Sequence, residues 1–177
     1  MRRLLTLAVL ASVLFVVAPQ ALDAQIPNAS FETWTTAIPG LASMPTGWTS
    51  GYFGISKSST AHTGSAAVQG LTQDFGLGDI LPAAITCWFP TNQRHAKLQG
   101  WYQLNSVGND ELVVAFILYN NKFPVAAGES TFVGTGTGYV QFTVNIDQDY
   151  ISGDAPDTGY VLITSDGPGS AAPHAGT

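Results

Sequence analysis

Trp101, Gln99, Gln103, Tyr139 and Gln141 are the side chains whose types and spacing suggest chemistry. A large ring flanked by planar amides at every second position can stack on an apolar C–H face and pair with hydroxyls. A pyranose ring offers both. The competing reading is that Trp101 covers a second sheet or packs under a loop, as large aromatics commonly do.

Such a set shares one face only on extended backbone, where successive side chains alternate. Residues 96–104 alternate in that way, with Leu98, Gly100, Tyr102 and Leu104 on one side and Lys97, Gln99, Trp101 and Gln103 on the other. The run 139–146 predicts Val140, Phe142, Val144 and Ile146 inward and Tyr139, Gln141, Thr143 and Asn145 outward. Residues 111–119 (ELVVAFILY) are apolar on both faces, which predicts a central strand. The turn-forming stretch 105–110 (NSVGND) predicts a hairpin between the strands on either side of it. Residues 160–165 make another strand, and weaker ones are expected at 29–34, 66–69, 85–89 and 131–133. No helical stripe exceeds about one turn. The pattern predicts one all-β domain, a two-sheet sandwich of about eight strands.

Motifs for catalysis are missing. His62, His95 and His174 fall in turn-like contexts without H-x-x-x-H or H-E-x-x-H spacing, and there is no G-x-S-x-G elbow. The glycine run 134–138 lacks the Lys-Ser/Thr ending of a phosphate loop. Cleaving a glycoside takes two converging carboxyl groups, and the glutamates beyond the N-terminal segment are Glu32, Glu111 and Glu129. No two of them are brought together by spacing, so a non-catalytic chain is expected. Asp147, Asp149, Asp154 and Asp157 read as a solvated acidic turn, since Ile151 and Ser152 break the calcium-loop pattern. Trp34 and Trp48 read as packing residues, Trp88 as part of a buried strand, and Cys87 as an inert buried thiol. Tyr52 and Phe53, in a glycine-flanked loop, are open to ligand contact.

Composition narrows the class. Of 177 residues only 10% are charged, and the formal charge is −6. A chain so poor in Lys and Arg is a weak partner for nucleic acid. Arg2 and Arg3 precede an apolar run of 15 residues from Leu4 to Ala18, then Pro19 and a small Ala24. That reads as a signal peptide over residues 1–24, because a bilayer core asks for about 20 apolar residues. The product is then expected outside the cytoplasm, whether extracellular, on the cell surface or periplasmic, with no membrane insertion after cleavage. Residues 25–177 carry four basic and eleven acidic side chains, a charge of −7. A single cysteine excludes an internal disulfide framework.

Several short motifs occur in order: Asn28 to Trp34 (NASFETW), Met44 to Trp48 (MPTGW), His62 to Ala67 (HTGSAA), Leu98 to Tyr102 (LQGWY) and Pro156 to Val161 (PDTGYV). In that order residues 25–177 resemble secreted bacterial β-jelly rolls of the galactose-binding-like superfamily, a group of carbohydrate-binding or carbohydrate-metabolism domains. The resemblance implies a jelly roll and a polysaccharide or glycan partner. It also implies a structural calcium between the first and last strands, for which the matching positions are Glu32 or carbonyls near Asn28, with the C-terminal aspartates lacking here. The family's closing strand with its aspartates has no counterpart before Thr177, so a C-terminally truncated domain is expected. Together these readings predict a secreted carbohydrate-binding module, either monomeric or part of a larger protein, contacting glycan through Trp101, Gln99, Gln103, Tyr139 and Gln141. The alternatives are an adhesive sandwich that binds protein and a glycan-cleaving enzyme.

Overall fold

The computed structural model describes residues 26–36, 43–51, 54–76, 78–146 and 150–177. The expected signal segment, the Tyr52–Phe53 loop and Asp147 with Asp149 lie outside the described residues. Within them the chain forms β1 (Trp34–Thr36), β2 (Ser43–Pro45), β3 (Ile55–Ser58), β4 (Ala67–Gly70), β5 (Gln73–Asp74), β6 (Ile80–Leu81), β7 (Ala84–Pro90), β8 (Lys97–Tyr102), β9 (Glu111–Asn120), β10 (Phe123–Phe132), β11 (Val140–Asn145) and β12 (Thr158–Asp166). Among the described residues the one helical piece is a 3-10 turn at Pro168–Ser170. The fold is all-β, as the alternating pattern predicts, and its architecture is a sandwich.

One layer is a four-stranded antiparallel sheet in the order β10-β9-β12-β7. The doubly apolar run of β9 therefore lies centrally, between β10 and β12. Opposite it lies the β11–β8 ladder, accompanied by the short pairs β1–β2, β3–β4 and β5–β6. Strand alternation explains the core: Ile85, Cys87 and Phe89 from β7, Val114, Phe116 and Leu118 from β9, and Val161 from β12 meet Leu98, Phe142 and Val144 from β8 and β11. Each fully buried aliphatic or aromatic side chain contributes roughly 1.5–3 kcal/mol. Gly128 lets β10 approach β11, because a Cβ there would sit 2.4 Å from Ile146 Cγ2 and 2.5 Å from the Asn145 carbonyl.

Four expectations need correction. The turn at residues 105–110 does not close a hairpin. Gly108 and Asn109 take left-handed φ values of 60° and 67°, as turn chemistry predicts, but they swing the chain between layers, with β8 pairing to β11 and β9 to β10 and β12. The true hairpin is β9–β10, turned by Asn121 and Lys122 at φ 50° and 71°, the two-residue pattern that matches strand twist. Only the C-terminal end of β10 was expected, because Pro124 and Gly128 interrupt its pattern; the register shifts between Pro124 and Ala126, where the ladder tolerates proline. Residues 29–33 are not extended. The Asn28 amide donates to the Thr33 carbonyl and its oxygen accepts from the Thr33 N–H, closing a local loop before β1 begins at Trp34. Strands also outnumber the expected eight, since the short pairs β1–β2 and β5–β6 carry too few residues to show a periodicity.

Candidate functional site

On the β8–β11 ladder Trp101 stands directly opposite Gln141, and Gln99 opposite Thr143. The Gln99 amide donates to Thr143 Oγ1 at 3.0 Å, which fixes the edge of that face. Trp101 is 48% exposed, while Leu98, Phe142 and Val144 point into the core, so the expected polar and apolar sides are the observed ones. Gly100 supports this side of the sheet: a Cβ there would lie 2.5 Å from the Phe142 ring. Val140, expected inward, is exposed at the end of the ladder, where it pairs with Tyr102.

Trp101 does not stand alone. The His62 imidazole, from the loop between β3 and β4, stacks on the indole with centroids 3.8 Å apart and planes 9° apart. The Tyr139 ring meets His62 edge-on at 5.8 Å. The Tyr139 hydroxyl donates to the Thr60 carbonyl at 2.9 Å, so it is engaged with the loop rather than presented to a ligand. Burial pushes its pKa up. A cavity of about 430 Å³ opens beside these rings, bordered by Gln99, Trp101, His62 and Tyr139, with Phe31 and Trp48 behind. A neighbouring cavity of about 200 Å³ shares Trp101 and Tyr139 and adds Gln103. The structure thus places Trp101 and Tyr139 between two neighbouring cavities, with Gln99 lining one and Gln103 the other, and leaves Gln141 on the ladder outside both linings. His62 was not legible as a member of this group, since nothing in a turn-like sequence reports which strand the turn will cover.

The other aromatics divide. Trp48 is buried and donates its indole N–H to the Pro27 carbonyl at 2.8 Å; Trp34 is half-buried and donates to the Phe31 carbonyl at 2.5 Å. Both are packing residues. Trp88, expected to be buried, is 55% exposed and lies on the outer face of the four-stranded sheet against Tyr160 and Tyr119, at 4.4 and 5.4 Å. Alternation from buried Cys87 and Phe89 puts it there. The buried Cys87 thiol is pushed up to about 11 by desolvation.

The carboxylates are largely spoken for. Glu32 accepts hydrogen bonds from the Ser65 and Ala66 N–H groups at 2.8 and 3.1 Å and from the Ser65 hydroxyl at 2.5 Å. Its oxygens, offered by resemblance as calcium ligands, face these donors. Asp157 accepts the Asn121 N–H and Asp154 the Ser152 hydroxyl, each ordering a turn. Among the described residues no group of three or more His, Cys, Asp or Glu side chains converges to hold a metal ion. Asp110 is fully buried and paired with His174, a contact across 64 positions that spacing cannot reveal. Glu111 and Asp166 stand opposite each other at the end of the β9–β12 ladder, with Glu111 bordering a cleft of about 450 Å³ that Asn105 and Asn109 also line. Glu129 is exposed on β10.

No family model and no curated protein matches the sequence. Among solved structures, the fold is similar to a putative glycoside hydrolase from Bacteroides thetaiotaomicron VPI-5482, with a TM-score of 0.52 and 7% identity over 70% of this chain and 53% of the other. It is also similar to a putative glycoside hydrolase from Bacteroides vulgatus ATCC 8482, with a TM-score of 0.52 and 13% identity over 77% of this chain and 87% of the other. The chain therefore spans about half the length of the first of these proteins. At such identity the likeness is one of fold, and it does not single out a galactose-binding-like jelly roll. The expectation of a non-catalytic chain is corrected to this extent: both similar structures are named as putative glycoside hydrolases, which stands against it.

Proposed function

We propose that this protein acts on or holds carbohydrate, and that its contact with glycan is the opening around Trp101. The observation that carries this reading is a partly exposed indole that borders two neighbouring cavities, one of about 430 Å³ lined also by Gln99 and the His62 imidazole and one of about 200 Å³ lined also by Gln103. Ring faces take the apolar side of a pyranose, and amides take its hydroxyls. The sandwich holds both on rigid strands, so little ordering is needed when a sugar arrives. The fold shared with two proteins named as glycoside hydrolases supports the same ligand class. The signal-like N-terminus agrees with export to where polysaccharides are met. Retention of the purified chain on immobilised polysaccharides, with Trp101→Ala alongside, tests the proposal.

Cleavage is a second reading with its own observation. Residues directly opposite on an antiparallel ladder have Cβ atoms about 4.5–5.5 Å apart, close enough for their side chains to bring two carboxyl groups to the separation of about 5–5.5 Å used by glycosidases that retain configuration. Glu111 and Asp166 occupy such a pair of positions, and Glu111 borders a cleft. Release of reducing ends from a bound polysaccharide, lost in Glu111→Gln, supports this reading; no release from any polysaccharide the chain retains opposes it.

A further inference from the structure

The loop that carries His62 is fastened on both sides of that residue. Before it, the Thr60 carbonyl accepts the Tyr139 hydroxyl at 2.9 Å. After it, Glu32 Oε1 accepts the Ser65 and Ala66 N–H groups at 2.8 and 3.1 Å, and Oε2 accepts the Ser65 hydroxyl at 2.5 Å. Gly64, at φ 77°, makes room for the carboxylate: a Cβ there would sit 2.1 Å from Oε1. Between the two fastenings the imidazole lies flat on Trp101. Glu32 is remote in sequence from both rings.

We infer that Glu32 is a positioning residue which, through residues 60–66, holds His62 against Trp101 and so presets one wall of the opening. The inference rests on the reading of Trp101 as the carbohydrate platform only for its functional consequence; the positioning itself is a matter of geometry. Loop residues left free would sample many backbone states, and a sugar would have to order them on arrival. A carboxylate saturated by amide and hydroxyl donors removes that cost beforehand. These donors, the Ser65 hydroxyl foremost, then its N–H, also hold the Glu32 pKa below the ordinary carboxylate value, with Lys57 adding to the effect, so the clasp stays charged at neutral pH.

NMR tests the positioning without any glycan. An aromatic ring stacked at this distance shifts the protons of its neighbour upfield, so the His62 ring protons are expected well upfield of an unstructured histidine. Glu32→Ala should return them toward the unstructured position while the dispersed amide signals of β9 and β12 persist. Glu32→Gln, which keeps a carbonyl oxygen for the N–H groups, should restore most of the shift. Because the alanine variant removes three contacts, Ser65→Ala provides a milder version, with an intermediate shift expected. An unchanged His62 shift in folded Glu32→Ala or Ser65→Ala overturns the inference. For a polysaccharide retained by the wild type, affinity should fall about tenfold in Glu32→Ala and recover in Glu32→Gln. A lost shift with unaltered affinity keeps Glu32 as the positioning residue and removes the preset His62 wall from glycan binding, leaving Trp101 to its own variant.

Discussion

Asp110 and His174 are joined by two hydrogen bonds: the buried carboxylate accepts the His174 backbone N–H at 2.6 Å and pairs with its Nδ1 at 2.7 Å. A third bond comes from the Thr177 hydroxyl at 2.6 Å. The Thr177 carbonyl in turn accepts the Thr72 N–H, so one carboxylate ties the C-terminal segment to the turn before β9 and to the body of the sandwich.

The pairing makes stability depend on pH. Burial by itself raises the Asp110 pKa, but hydrogen bonds from Thr177 and His174, with the His174 charge, outweigh it and leave the value lowered. A carboxylate lowered in the folded state contributes stability that is full above its unfolded pKa of about 3.9 and is lost as pH falls through the folded value. Asp110→Ala should cost about 2–4 kcal/mol in urea unfolding at pH 7, with the difference from wild type shrinking below about pH 4. An undiminished difference at pH 3 would contradict this assignment.

Gly100 is expected to resist enlargement. Its missing Cβ leaves space for the Phe142 ring beneath Trp101's strand. Gly100→Ala should lower stability by about 1–3 kcal/mol through overpacking, and Phe142→Leu in the same chain should recover part of that loss. Chemical denaturation of the single and double variants measures both.

Cys87 should behave as a sealed thiol. It is buried in β7 and its pKa is pushed up to about 11 by desolvation, so little thiolate forms and reagent access requires opening of the sheet. Labelling with an aromatic disulfide at pH 8 is expected to be slow in buffer and immediate in concentrated urea. Immediate labelling in buffer would place the residue at a surface.

Much of the fold was legible in sequence because strand alternation is local. The face of β8, that of β11 apart from Val140, and the central place of β9 follow from local patterns, and the structure agrees with them. What failed depended on distance. The turn at residues 105–110 has the chemistry of a hairpin, but partner choice is decided by the layers it connects, so the chain crosses over instead. Trp88 sits among apolar neighbours that suggest burial, but its alternation against Cys87 and Phe89 puts it outside. At the candidate site, Trp101 and Gln99 lie on β8 and Gln103 directly follows it, so the three could be read together. His62 and Glu32 reach them only through tertiary contacts of residues separated by more than thirty positions, as with the Glu32–Ser65 bond. A turn motif carries no record of such a partner.

The central claim is that the Trp101 opening contacts carbohydrate, and affinity electrophoresis through gels of soluble polysaccharides tests it most directly. Wild type should be retarded by at least one polysaccharide, Trp101→Ala should lose that affinity by tenfold or more, corresponding to about 1.4 kcal/mol, and Trp88→Ala on the opposite sheet should keep it. Equal retardation of wild type and Trp101→Ala, or no retardation in any gel, would contradict the account.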